Sequence, residues 1–252
     1  MLVLALDTTT RPGSVALVED EQTIEERQGD LSRTHAEYLP GALLALLAAH
    51  GLTTAAIDLF AVACGPGSFT GLRIGIATMQ GLALVSSRPI ADVSTLEALG
   101  QLASLDTAAA GRVGAWVDAH RGEVFAALYR VNDAAVFEPE RLTLIDGPVV
   151  GRPSSVLARW SAGLGRSPVT WIGDGATAYA DAIAGAVGPV SILPHRPLAG
   201  AIGRIAVMHA RRGRAVHPAA VRPLYVRRPD AEIDRERRAC PTGDTRETKG
   251  EF

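Results

Sequence analysis

Short apolar runs alternate with helical patterns along this chain, and that alternation constrains the fold more than any other feature. The runs "LVLALD" (2–7) and "SVALVED" (14–20) flank the turn residues "TTTRPG", which predicts a β-hairpin, and "QTIEERQ" (22–28) adds a candidate third strand. A helical pattern, a buried strand in "DLFAVACG" (58–65), a second helix and the strand "RPIADV" (88–93) follow. Strands that alternate with helices indicate a layered α/β domain.

The pattern restarts after the low-complexity segment "SLDTAAAG" (104–111). The segment "RVGAWVDAHRGEVFAALYRV" predicts a strand, a turn and a strand, and "VTWIG" (169–173) predicts a further strand between helices. The last helix is predicted in "LAGAIGRIAVMHARRG", which ends near Gly213. We therefore expect a second, smaller lobe that repeats the plan of the first.

These patterns divide the chain into three parts. We predict an N-terminal α/β lobe over 1–105, which contains the first two helices, and a smaller C-terminal α/β lobe over 106–226. The remaining 227–252 has few apolar residues and mixed charges, which predicts a disordered tail. A chain of 252 residues is long enough for one large core or two lobes.

Composition limits the partners and the compartment. The net charge of −2, with 21% charged residues, gives no overall attraction to nucleic acid or membranes, so any RNA contact must be local. Cys64 and Cys240 cannot build a disulfide framework or a cysteine zinc site, which favours a reducing compartment. The chain reaches Asp7 too early for a signal peptide, and no apolar run has the roughly 18 residues that span a bilayer. We predict a cytoplasmic protein without a membrane contact.

Asp7 ends the first strand and is followed by Thr8 and Thr9. A carboxylate at the end of a strand, next to turn amides and hydroxyls, can face a metal-bound phosphate. Aspartate and threonine also form ordinary turns. The residues therefore leave a phosphate site and a purely structural turn open.

The segment "GPGSFTG" leads into the second helix but is not a Walker loop, because that motif requires a lysine that is missing here. Ser68 and Thr70 are predicted to cap the helix, since no histidine or carboxylate lies nearby in sequence to activate them. Gly71, Gly75 and Thr78 form a stripe of small residues one turn apart, which predicts close packing against another helix. That helix is either the leucine-rich one of the same chain or one from another molecule.

Other polar segments carry weaker patterns. The six histidines include no pair three or four residues apart, so a helix-borne zinc site is not expected. The turn "DAHRGEVF" brings together Asp118, His120, Arg121 and Glu123, either as a polar site or as a solvated turn. The strand-to-helix turn "GDGATAY" (173–179) has the outline of a nucleotide-side glycine turn, which also occurs without ligands.

Five segments together resemble the bacterial TsaB family, also called YeaZ: "LALDTTTRPGSVAL", "GPGSFTGLRIGIATMQGLAL", "VSTLEAL", "VDAHRGEVFAALY" and "VRPLYVR". The resemblance covers residues 1 to about 228. It implies a subunit of tRNA threonylcarbamoyladenosine biosynthesis. It also implies the two-lobed α/β fold of the actin and hexokinase superfamily (ribonuclease H-like), in which each lobe opens with a strand meander.

The resemblance further implies that this subunit is not the catalyst. The catalytic paralogue TsaD carries V-N-H-x-x-x-H where this chain has "VSTLEAL", and its two histidines hold the active-site metal. Thr95 and Leu99 stand in those places here, and neither supplies an imidazole. We therefore expect no catalytic residue and no metal in this chain; ATP and a divalent metal are used by the assembled complex through its partners.

In the family the "GPGSFTG"-led helix and the preceding helix contact TsaD, or a second TsaB when TsaD is absent, and the ATPase TsaE joins the assembly. The resemblance therefore implies a partner interface made of His35, Leu39, Leu43, Leu46, Ser68, Phe69, Thr70, Gly71, Arg73, Ile74, Gly75, Thr78 and Met79. It implies contact with tRNA only through the complex. Arg222, Arg227 and Arg228 are candidates for phosphate contacts there, against a solvated charge mixture with the acidic residues nearby.

Three alternatives stay open. An ATP-dependent small-molecule kinase of the same superfamily would use Asp7 on the metal and the "GDGA" turn on the nucleotide. A glycoprotease-like metallopeptidase would need a metal-ligand set, which the histidine spacing does not provide. A homodimeric scaffold unrelated to tRNA would need only the stripe of small residues.

Overall fold

The computed structural model describes residues 1–30, 32, 34–164 and 168–227, and it contains two five-stranded mixed sheets. The predicted tail lies outside the described residues except for Arg227. The strands of the first sheet are β1 (Leu2–Asp7), β2 (Ser14–Glu19), β3 (Gln22–Gln28), β4 (Leu59–Gly65) and β5 (Ile90–Ser94). Those of the second sheet are β6 (Arg112–Asp118), β7 (Val124–Val131), β8 (Leu142–Gly151), β9 (Val169–Ile172) and β10 (Ser191–Ile192).

The two sheets repeat one topology. The first has the order β3-β2-β1-β4-β5, and the second has β8-β7-β6-β9-β10. In each, three antiparallel strands form a meander and two parallel strands extend it from the first strand. This repeated order confirms the two-lobed α/β fold that the family resemblance implies.

Two helices cover the outer face of the first sheet. They are α1 (His35–Ala49) and α2 (Phe69–Val85), and their buried leucine, isoleucine and methionine side chains share one core with β1, β2 and β4. Thr34 caps α1, and the Glu37 carboxylate accepts hydrogen bonds from its N–H (3.0 Å) and its hydroxyl (2.7 Å). Pro40 lies inside α1 and does not end it.

The space between the sheets is filled by α3 (Thr95–Ala103) and α7 (Ala199–Arg211), whose apolar residues join the two lobes in one continuous core. The outer face of the second sheet is covered by α4 (Pro153–Leu164), α5 (Asp174–Ala178) and α6 (Ala180–Val187). There Trp116, Trp160 and Trp171 pack against one another, with ring centroids 5.3 to 6.2 Å apart. Within the described residues, no helix is both long and apolar enough to cross a membrane.

The predicted boundary of the C-terminal lobe is wrong in one respect. The two sheets do fall on either side of residue 105, but α7 packs on all five strands of the first sheet, and Val216 pairs with Ile90 of β5. Residues 199–226 therefore belong to the first lobe, although they follow the second in sequence. The strands β8 and β10 were also not expected from the sequence, since neither shows a clear alternation of buried and exposed residues.

Candidate partner-binding site

The outward face of α2 is a stripe of small and apolar residues spaced four and three residues apart. It consists of Thr70, Ile74, Ala77, Gly81 and Leu84, of which Ile74 is half-buried and the others are exposed. A methyl group added at Gly81 would meet nothing within 4 Å. Arg73 is the only charged residue in the helix. A seam with this spacing and almost no charge is typical of a helix that packs against another helix.

The outward face of α1 lies beside it and has the same character. Its exposed residues include Gly41, Leu44, Ala45 and Ala48, and Leu44 is 55% exposed. A methyl group at Gly41 would also meet nothing within 4 Å. At the end of α2, Val85 is 88% exposed. Together the two helices present one uncovered apolar surface, which we call the α1/α2 face.

The inward face of α2 packs on the turn that follows β1. A Cβ at Gly71 would overlap the carbonyl oxygen of Thr8, and one at Gly75 would overlap the Thr8 hydroxyl, both well inside contact distance. A Cβ at Gly67 would lie 2.6 Å from the Thr9 Cβ. The stripe of small residues therefore accommodates mainly the turn after β1 of the same chain, and of the leucine-rich helix only His35 comes close, 3.2 Å from a Cβ at Gly71.

This packing corrects part of the predicted interface. Six of its residues are buried in the first lobe and cannot contact a partner: Leu39, Leu43, Leu46, Gly71, Gly75 and Met79. Periodicity alone identified the two helices but not which face is free. The sequence does carry a signal for the exposed seam: small and apolar residues that alternate in four- and three-residue spacing, with no charged residue among them.

The other predicted interface residues lie at or near the surface. Thr70 and Ile74 are on the seam, and Thr78 is half-buried. Ser68 caps α2 by accepting a hydrogen bond from the Gly71 N–H at 3.2 Å, as predicted. His35 lies over the same turn, with Nε2 3.1 Å from the Arg11 carbonyl oxygen.

Phe69 and Arg73 contact the C-terminal segment 214–227, which crosses α2. The Arg73 guanidinium lies 3.9 Å from the Phe69 ring centroid, and its Nε donates to the Tyr225 hydroxyl at 3.0 Å. The Gln80 amide donates to the Pro218 carbonyl at 2.8 Å. This segment therefore borders the α1/α2 face and is fixed to it.

The arginines proposed for tRNA contacts have intramolecular roles. Arg222 donates to the carbonyl oxygens of Ala219 and Val221 at 2.6 and 2.9 Å. Arg227 donates to the Ala119 carbonyl at 2.9 Å and pairs with the Glu123 carboxylate. The pairing with Glu123 makes Arg227 a poor phosphate ligand, and Arg228 lies outside the described residues.

The turn after β1 satisfies its own carboxylate. Buried Asp7 accepts hydrogen bonds from the Thr9 N–H (2.8 Å), the Thr9 hydroxyl (2.6 Å) and the Thr10 hydroxyl (2.7 Å). The Thr8 hydroxyl is buried without a hydrogen-bond partner. This geometry favours the structural turn over a phosphate site, since the carboxylate is already bound by three donors of the same turn.

The N-terminus of α7 lies close to this turn and is also occupied. Ser14 Oγ accepts from the N–H groups of Leu198 and Ala199 at 3.1 and 3.0 Å, and the Glu26 carboxylate accepts from Gly200 at 2.8 Å. Burial raises the pKa of Glu26. A nucleotide phosphate would have to displace these side chains, which weakens the kinase alternative.

The turn between β6 and β7 is held in an unusual backbone conformation. His120 and Arg121 both have positive φ angles, of 59° and 56°, which side-chain-bearing residues rarely adopt. The Asp118 carboxylate accepts from the His120 N–H at 2.9 Å, and Asp174 accepts from the Asp118 N–H at 3.0 Å. Burial raises the pKa of Asp174. These carboxylates fix the turn and the start of α5.

Thr95 and Leu99, which stand where the paralogue has its metal-binding histidines, are buried between the sheets. The Thr95 hydroxyl has no hydrogen-bond partner, and between α7 and α3 His209 Nε2 lies 4.0 Å from the carboxylate of half-buried Glu97. In the described part of the chain, no group of three or more His, Cys, Asp or Glu side chains could hold a metal ion. A hydroxyl and an isobutyl group do not fit a metal that prefers imidazole.

Comparisons with known proteins agree with this geometry. A family model described as "TsaD: tRNA N6-adenosine threonylcarbamoyltransferase" matches residues 21–146, half of the chain. The "tRNA threonylcarbamoyladenosine biosynthesis protein TsaB" of Escherichia coli is 36% identical over 150 residues, which cover 60% of this chain and 64% of that protein. The protein of the same name from Haemophilus influenzae is 39% identical, with 50% of this chain and 52% of the relative covered.

The similarity to solved structures extends further along the chain. A Pseudomonas aeruginosa protein described as similar to peptidase YEAZ has a TM-score of 0.74 and 30% identity, with 90% of this chain and 99% of that one covered. A second structure, "YeaZ from Pseudomonas aeruginosa", has a TM-score of 0.73 and 29% identity, with 89% and 99% covered. The match to the curated E. coli protein spans less than two thirds of its length. Fold, sequence and family model agree, and the chain belongs to the TsaB (YeaZ) family.

Proposed function

We propose that this chain is the non-catalytic partner that activates TsaD in threonylcarbamoyl transfer to the adenosine beside the anticodon of ANN-decoding tRNA. The names of the two TsaB relatives support the pathway. The replacement of two histidines by Thr95 and Leu99 supports a role without catalysis by this chain. ATP and a divalent metal enter the reaction through the partners.

The α1/α2 face is the observation that carries this proposal. It is an apolar surface on two adjacent helices, with glycines at Gly41 and Gly81 that let another backbone approach closely. An uncovered surface of this kind marks a protein-protein contact rather than a small-molecule site. It would bind TsaD, or a second copy of this chain when TsaD is absent.

The rest of the assembly follows from that contact. TsaE would join the complex as its ATPase, and tRNA would be bound by the assembly in the cytoplasm. Activation requires that this chain bind the active conformation of TsaD more tightly than the inactive one, because only differential affinity shifts a conformational equilibrium.

The proposal is tested by mixing the purified chain with TsaD, TsaE, ATP and an ANN-decoding tRNA and measuring threonylcarbamoylation. We expect modification to require this chain and the chain alone to modify nothing. Modification by the chain alone, or by the mixture without it, would contradict the proposal. ATP-dependent phosphorylation of a small molecule by the isolated chain would favour the kinase alternative.

The interface is tested with a matched pair of variants. Gly81→Arg places a long charged side chain on the seam, whereas Gly185→Arg makes the same change on exposed α6 of the second lobe, where a Cβ would also meet nothing within 4 Å. We expect Gly81→Arg to weaken TsaD binding at least tenfold and to abolish any homodimer, with Gly185→Arg unchanged. Equal binding by both variants would move the interface elsewhere.

A further inference from the structure

The end of the second sheet carries two arginines directly opposite each other. Arg112 of β6 and Arg130 of β7 are cross-strand partners, so their side chains lie on the same face of the sheet. The Arg112 backbone N–H points away from β7 and donates to the Pro168 carbonyl at 3.2 Å. Arg112 and Arg130 are therefore a cross-strand pair without backbone hydrogen bonds between them. Side chains approach each other most closely in such pairs.

Neither guanidinium has an anionic partner among the residues that the structure describes. Arg112 Nε and Nη1 are shielded from solvent and make no hydrogen bond, and Arg130 is exposed. The nearest strand neighbours are uncharged, since Thr143 stands opposite Arg130 and Val169 opposite Arg112.

Three carboxylates of this lobe are bound by other arginines. Asp146 accepts from Arg159 at 2.5 and 2.7 Å, and both Glu138 and Glu140 pair with Arg212. Like charges directly opposite on neighbouring strands destabilise a sheet, and buried guanidinium nitrogens without acceptors add to that cost. An anion held beside the two guanidinium groups would offset the repulsion between them.

We propose that Arg112 and Arg130 form a binding site for a phosphate group. A phosphate offers several oxygens to two planar guanidinium groups, which is the geometry that arginine recognises best. Given the proposed function, on which this source rests, the phosphate belongs to the backbone of the bound tRNA. The site lies in the second lobe, apart from the α1/α2 face, so the RNA and the partner protein can bind together.

Binding is measured on the full chain with inorganic phosphate, followed by phosphorus NMR, and with tRNA, followed by fluorescence anisotropy at several salt concentrations. The test variant is Arg130→Gln, because Arg130 is exposed and its loss leaves the core intact. The control is Arg152→Gln, an exposed arginine that follows the Gly151 end of β8, at the opposite end of the same sheet.

We expect Arg130→Gln to weaken phosphate binding at least fivefold, and Arg152→Gln to change it less than twofold. Phosphate should also raise the melting temperature of the unmodified chain more than that of Arg130→Gln. For tRNA, Arg130→Gln should lower the affinity and reduce the salt slope by about one unit. Equal phosphate binding by all three proteins would overturn the site.

Weakened phosphate binding with unchanged tRNA affinity would keep the anion site and overturn RNA as its source. Failure of this site is distinguishable from failure of the proposed function, because Arg130 and Gly81 lie in different lobes. If the chain binds phosphate but does not activate TsaD, the proposed function is contradicted. If the chain activates TsaD but does not bind phosphate, only the phosphate site is contradicted.

Discussion

Glycines on the two faces of α2 have opposite roles. Gly71 and Gly75 face inward, where a Cβ would overlap Thr8, whereas Gly81 faces outward into open space. An inward glycine is needed for the chain's own fold, and an outward glycine costs helix stability without contributing to the fold. A glycine in a helix therefore indicates a close approach, but only the tertiary structure tells whether the approaching chain is the same molecule or another.

The largest expected effect separates these two kinds of glycine. Gly71→Ala places a Cβ against a backbone carbonyl that cannot move without shifting the turn after β1, so we expect a loss of about 3 kcal/mol or more in unfolding free energy. Gly81→Ala meets nothing and should gain up to about 1 kcal/mol from helix propensity. Urea denaturation of both variants measures the difference. Equal stabilities would show that the inward packing is not tight.

The same reasoning changes the expected result of Gly75→Arg. If the stripe faced another molecule, as one of the two interpretations of the sequence has it, this substitution would abolish the partner complex and leave a folded monomer. In the structure, Gly75 is buried against Thr8, so the arginine should unfold the first lobe before any partner is involved. Gly81→Arg is the variant that leaves the fold intact and tests the interface.

Burial also changes the pKa of a titratable side chain and so makes stability depend on pH. His209 of α7 is 4% exposed, and burial, with Arg214 nearby, lowers its pKa to about 4. Between pH 6.5 and 4 the unfolded chain takes up a proton that the folded chain does not, so stability falls as the pH decreases through this window. The contribution is at most about 3 kcal/mol.

The carboxylate that faces His209 acts in the opposite direction. Burial raises the pKa of Glu97, so its contribution is lost as the pH rises and partly masks that of His209. Comparison with His209→Gln isolates the histidine: the unmodified chain should lose more stability than the variant between pH 6.5 and 4.5. Parallel profiles for the two proteins would contradict the buried, neutral histidine.

Much of the fold could be predicted from the sequence, because its elements leave local patterns. The β1–β2 hairpin has turn residues between apolar runs, and α2 begins at a predicted cap. The edge strand β8 could not be predicted, since it has no fully buried residue and is interrupted by Gly147 and Pro148, which are uncommon inside central strands. The packing of α7 on the first sheet could not be predicted either, because a helix that returns to an earlier sheet leaves no local pattern.

The candidate site, too, could be predicted from the sequence only in part. Both helices of the α1/α2 face were identified, but residues of the inward stripe were included in the predicted interface. That choice depends on Thr8, which is 63 to 67 positions away from Gly71 and Gly75 in sequence and reaches them only in the folded chain. Arg112 and Arg130 were not identified, since strand register alone places them opposite each other.

A double-mutant cycle tests whether the contact between Thr8 and Gly75 carries the cost of an inward side chain. Thr8→Ala removes the hydroxyl and the methyl group that a Cβ at Gly75 would meet first. Gly75→Ala should therefore be less destabilising in the Thr8→Ala background, by about 1 to 2 kcal/mol. Additive effects would mean that the helix moves away as a whole. Gly81→Ala in the same background serves as the control and should be additive.

The smallest expected effect distinguishes shape from hydrogen bonding at this contact. The Thr8 hydroxyl is buried without a partner, so Thr8→Val keeps the shape and removes an unsatisfied polar atom. We expect unfolding free energy to stay the same or to rise by less than about 1 kcal/mol. A loss of more than that would reveal a hydrogen bond of the hydroxyl, with water or with the chain, and the inward face would then depend on polarity as well as on volume. An unchanged or raised stability leaves volume as the property that α2 requires of its inward face, and the outward seam as the face where volume can change without cost to the fold.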